Sequence, residues 1–143
     1  MNTPKWRCPK EGYIEVNFDA AFSNNKEISC SGILLRDSRG DVIASKITLH
    51  ERISSPFATK ARLCVEALRL CLDLNVQNLE VEGDSLTVIK KATKDETDFS
   101  EISGYMEDVK RLSKVFQSCT FLHVERSANE AANQLAREGL RQK

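Results

Sequence analysis

The run YIEVNFDAAF (13–22) alternates between apolar and polar side chains: Ile14, Val16, Phe18, Ala20 and Phe22 share one face, and Glu15, Asn17 and Asp19 share the other. A period of two marks a strand with one face turned to a core. Two further strand-like runs follow, ISCSGILLRD and VIASKITLHERI, joined by DSRGD (37–41), where Gly40 is free to take a positive φ. Three strands with connections this short pair with their sequence neighbours, which predicts an antiparallel meander.

The period then becomes helical. Ser55-Pro56 reads as an N-cap with proline at the first helical position. Phe57, Ala61, Cys64, Leu68 and Cys71 or Leu72 form one stripe of a long helix that Asn75 ends. NLEVEGD (78–84) predicts a short strand, SLTVIKKAT a short helix and KDETDFSE a polar linker. Ile102, Met106, Val109, Leu112 and Phe116 place a helix over 102–116, and CTFLHVE reads as a fifth strand. In the closing segment Ser127 and Glu130 have the spacing of a capping box. Ala128, Ala131, Ala132, Leu135 and Ala136 then form a narrow apolar stripe, with Asn129 and Asn133 one turn apart beside it. Helix propensity alone makes Asn133 a surface amide. The order β-β-β-α-β-α-α-β-α predicts an α/β fold: a five-stranded mixed sheet, three antiparallel strands then two helix-linked strands, with helices on both faces.

A chain of 143 residues suits one domain, 1–143, with 1–10 as an N-terminal extension and Trp6 near the domain's start. Lys plus Arg and Asp plus Glu number 21 each, so the chain has no net charge and no overall basic footprint for nucleic acid. No apolar run approaches a membrane span, and the first residues lack a signal peptide's apolar stretch, so no membrane partner is expected. The five cysteines include no C-x-x-C pair and no Cys/His cluster. They are expected to pack as small hydrophobes in a reducing compartment, cytoplasmic or nuclear.

Asp19 falls mid-strand, and Asp84 falls at the end of the fourth strand. An ionised group in a central strand is costly unless paired or metal-bound, and carboxylates on neighbouring strands suit Mg²⁺. Spacing alone leaves a second reading open, a solvent-facing Asp19 and a helix-capping Asp84.

Four segments then carry a likeness. WRCPKEGYIEVNFDAAF is similar to an opening in which Trp and Pro precede an N-x-D-x-A strand. SGILLRDSRGDVIAS resembles a glycine-bearing hairpin with R-D and G-x-V-I, and LEVEGDSLTVI resembles an E-x-D-S strand end. HVERSANEAANQLA resembles a closing V-x-R-x-x-N-x-x-A-D-x-L-A helix. From Trp6 to Leu140 the chain resembles the ribonuclease H-like domain of the plant reverse-transcriptase-like type. The resemblance implies Mg²⁺-dependent hydrolysis of the RNA strand of an RNA–DNA hybrid, with four carboxylates holding two Mg²⁺ ions and a His assisting. Carried over residue by residue, Asp19 is the first-strand acid, Asp84 the acid after the fourth strand, and His123 the histidine.

Two positions depart from that pattern. The family's A-E pair on the first long helix falls on Thr59-Lys60, which puts Lys60 in the place of the helix-borne Glu. Glu66 is no substitute, since six residues along a helix leave it turned by about 120° and displaced by about 9 Å. The family's last acid falls on Asn133, and a hairpin glycine becomes Cys30. The resemblance therefore implies a degenerate metal site in which Lys60 supplies the counter-charge, with Mg²⁺ binding at Asp19 and Asp84 weak or lost. Three functions stand open: a non-catalytic module binding RNA or RNA–DNA hybrid, an active Mg²⁺-dependent hybrid endonuclease, and a protein-interaction module that kept only the fold. Lys90, Lys91, Lys94, Arg126 and Arg137 are the candidate phosphate contacts. The 102–116 helix is the surface considered for a protein partner, and a monomer is expected.

Overall fold

The computed structural model describes residues 8–24, 27–51, 56–83, 88–90, 103–125 and 129–142. Its elements are β1 (Ile14–Phe22), β2 (Ile28–Arg36), β3 (Val42–Glu51), α1 (Pro56–Asp73), β4 (Asn78–Gly83), α2 (Ser103–Ser113), β5 (Ser118–His123) and α3 (Glu130–Arg141). The sheet order is β3-β2-β1-β4-β5. β1, β2 and β3 pair antiparallel, while β4 pairs parallel to both β1 and β5. This is the mixed α/β sheet expected from the periodicities.

Local chemistry explains the sharp corners. In DSRGD, Gly40 takes φ +85° and Asp37 Oδ1 accepts from the amides of Arg39 and Asp41 at 2.9 and 3.0 Å. Asn75 ends α1 in the left-handed region at φ +58°. Its amide donates to the Leu72 carbonyl, and the Val76 amide donates to the Cys71 carbonyl, so two orphan carbonyls of the last turn are satisfied.

The main core lies on one face of the sheet. Val16, Phe18 and Ala20 of β1 and Ile33 and Leu35 of β2 meet Ala61, Cys64 and Leu68 of α1 and Met106, Val109 and Leu112 of α2. The apolar stripe considered above as a partner surface is therefore core. Phe116 stays buried although α2 stops at Ser113, and Phe57 leaves the expected stripe, standing exposed at the start of α1.

α3 covers the other face, and glycine makes the approach close. A Cβ on Gly32 would lie 2.7 Å from the Ala132 carbonyl oxygen, and one on Gly139 would overlap Cys30 Sγ and Ile47 Cγ2. Cys30, the departure from the hairpin glycine, thus fills room left by Gly139. The cover has a large effect on β1, whose polar face is also shut away: Glu15, Asn17 and Asp19 are 0, 2 and 2 % exposed. The reading of Asp19 as solvent-facing does not hold.

α3 itself starts at a different place from the one expected. Asn129, not Ser127, is the N-cap, and its side chain makes no capping bond because it is committed to β1. Ser127 and Ala128 lie outside the described residues. The buried face is Ala132, Asn133 and Ala136, whereas Ala131 is exposed.

Candidate functional site

Asp19 sits in β1, a central strand, where only specific partners can hold a buried carboxylate. Its Oδ1 accepts from the Ala20 amide at 2.8 Å and faces Lys60 Nζ at 3.8 Å. Its Oδ2 accepts from Asn133 Nδ2 at 2.8 Å. Lys60 arrives from the first turns of α1 and Asn133 from the second turn of α3, so two helices on opposite faces meet at one acid. The helical amide assigned to the surface by propensity is 3 % exposed.

A second set of polar contacts lies one step back along β1. Asn17 Nδ2 donates to Glu82 Oε2 at 3.2 Å and to Asn129 Oδ1 at 3.1 Å, while Asn129 Nδ2 donates to the Phe18 carbonyl at 3.0 Å. Glu82 stands level with Asn17 on the neighbouring parallel strand. Burial pushes its carboxyl above the ordinary range, and Glu80 adds to the shift against the Asn17 hydrogen bond and Arg36. Glu15, level with Glu80, has Arg36 Nη1 at 3.9 Å. Asn17, Glu82 and Asn129 stand in the quoted motifs, but sequence reasoning assigns them no role. The available signal is position: Asn17 shares the Asp19 face two residues earlier, and Asn129 precedes Asn133 by one turn.

Asp84 lies outside the described residues, just past the end of β4, as do Lys91, Lys94 and Arg126. His123 is exposed at the end of β5, level with Gly83 and one strand beyond β4 from Asp19. Glu66 engages Arg62 Nε at 3.3 Å on α1, not Asp19. Among the described residues no group of three or more His, Cys, Asp or Glu could hold a metal ion. Lys90 is exposed, and Arg137 Nη2 contacts Glu130 Oε1 at 2.7 Å.

The sheet order and the acid at its centre are matched by the comparisons. The reverse transcriptase-like family matches residues 17–139, which takes in β1, the whole sheet and the helix that carries Asn133. The chain belongs to the reverse transcriptase-like family. Its fold is that of ribonuclease H. An RNase H1 from the halophilic archaeon Halobacterium salinarum superposes with a TM-score of 0.83 at 24 % identity, covering 92 % of this chain and 99 % of that one. The N-terminal RNase H domain of a Mycobacterium tuberculosis protein gives 0.80 at 16 % identity, covering 91 % and 94 %. LC11-RNase H1, in a structure with an RNA/DNA hybrid, gives 0.77 at 13 % identity, covering 90 % and 97 %. No curated protein matches the chain in sequence. No helix among the described residues is long and apolar enough to cross a membrane.

Proposed function

We propose that this ribonuclease H-like domain binds RNA or an RNA–DNA hybrid without cleaving it, and that Lys60 stands in for the family's metal charge. One observation carries the reading: both oxygens of Asp19 already face donors, Lys60 on one side and the Asn133 amide nitrogen on the other. A Mg²⁺ shell is built from oxygen acceptors, so an ammonium and an N–H group do not fit it. At about 4 Å and an effective dielectric of ~20, a unit-charge pair is worth about 4 kcal/mol. That attraction holds Lys60 on Asp19, and the same charge repels a divalent ion. The nucleic-acid part of the reading rests on the family and on the hybrid held by LC11-RNase H1.

The test compares the unmodified chain with Lys60→Glu/Asn133→Asp for hybrid cleavage in Mg²⁺ and Mn²⁺, and for the rise in thermal midpoint on adding Mg²⁺. The expected result is no cleavage and no Mg²⁺-dependent rise in the unmodified chain, with both gained in the double variant. Cleavage by the unmodified chain overturns the non-catalytic reading and establishes the active endonuclease, for which retained Asp19 and His123 speak. No hybrid or RNA binding by either form leaves the protein-interaction module.

A further inference from the structure

The last residues of β1 do not close against α3. They leave an open cavity of about 420 Å³ that begins at Asn133, the residue bonded to Asp19. Ala20 and Ala21 form its floor and are small enough to leave the space; Arg137 and Arg141, one turn apart on α3, stand over it. Phe22 and Leu140 close its apolar part. No carboxylate lines it. Each guanidinium meets a glutamate through one nitrogen, Arg137 with Glu130 and Arg141 with Glu138, both at 2.7 Å. Exposed pairs of this kind are weak, and a planar fork of five N–H donors has more to offer. Paired guanidinium groups are suited to bidentate contact with phosphate oxygens.

We propose that this cavity takes a phosphodiester of the nucleic-acid strand that passes Asp19, held by Arg137 and Arg141. The proposal rests on the nucleic-acid reading above and adds to it a subsite with a defined direction: the strand runs from Asp19 along the end of β1 towards the C-terminal turn of α3. The apolar part of the cavity receives the attached sugar. The whole chain carries no net charge, so affinity has to come from local contacts such as these, and each phosphate contact carries a measurable salt signature.

The experiment is a salt titration of binding by fluorescence anisotropy, with a labelled RNA–DNA hybrid and the matching single-stranded RNA. Arg137→Ala/Arg141→Ala is expected to weaken binding at low salt and to flatten the slope of log K against log salt by about 1.4–1.8, since each phosphate contact contributes ~0.7 on a single strand and ~0.9 on a duplex. Arg137→Lys/Arg141→Lys keeps the charges and is expected to restore the slope. Arg69→Ala, exposed on α1, is expected to change nothing. Both arginines are well exposed, at 44 and 63 % of their side chains, so the alanine pair folds; its circular dichroism spectrum checks this. An unchanged slope in the alanine pair overturns the subsite and leaves the nucleic-acid reading standing. No binding by the unmodified chain overturns both.

Discussion

At the scale of single residues, two polar side chains occupy places that invite opposite explanations. Asn133 is unremarkable in its own helix and decisive at Asp19, where its amide nitrogen satisfies a buried carboxylate oxygen. His50 works in the other direction. It pairs across the sheet with Ser29, contacts Ser31 Oγ at 3.0 Å, and faces Glu66 and Arg62 of α1. Burial lowers its pKa below 6.5, Glu66 works against that shift and Arg62 with it. The unfolded chain therefore takes up this proton at a higher pH than the folded chain does. The contribution of His50 to stability is present above pH 6.5 and is lost as pH falls through the lowered folded value. His50→Gln is expected to flatten the stability profile in that window, measured by urea unfolding at a series of pH values; an unchanged profile refutes the assignment.

At the scale of elements, the contrast between β1 and α3 shows what a sequence makes legible. The alternation of β1, the DSRGD turn and the Asn75 helix end are local, because the residues that decide them lie within a few positions of one another. Asp19 and the two departures at Lys60 and Asn133 are legible through the family's motifs. The start and buried face of α3 are not. Asn129 forgoes its own cap for partners 111 and 112 positions away, and no periodicity encodes a contact at that distance. The burial of Glu15, Asn17 and Asp19 is hidden for the same reason, since it depends on a helix that closes over β1 from the far end of the chain. The docking of that helix is testable. Gly139→Ala places a methyl group against Cys30 and Ile47 and is expected to cost about 1–3 kcal/mol by overpacking. Cys30→Gly is expected to recover part of that loss, giving a non-zero coupling in a double-mutant cycle of thermal stability. Additive effects would show that the two sites do not share this space.

At the scale of the whole molecule, charge is balanced at 21 against 21 while the sheet around Asp19 concentrates polar groups inside the fold. A molecule without net charge does not draw in a polyanion from a distance. If the domain binds hybrid as proposed, it associates at the unsteered rate, about 10⁵–10⁶ M⁻¹ s⁻¹, and that rate changes little with ionic strength. Stopped-flow association at low and high salt checks this; a steep fall in the association rate with salt would point to a concentrated basic surface instead.

The sulfur of Cys30 lies beneath α3, fully buried beside Gly139, and no reagent reaches it while the helix is seated. Its thiol is thus a built-in clock for α3. The rate at which it is alkylated under native conditions equals the intrinsic thiol rate multiplied by the fraction of time the helix is lifted. Asn133 travels on the same helix, so that clock also counts how often Asp19 loses one of its donors.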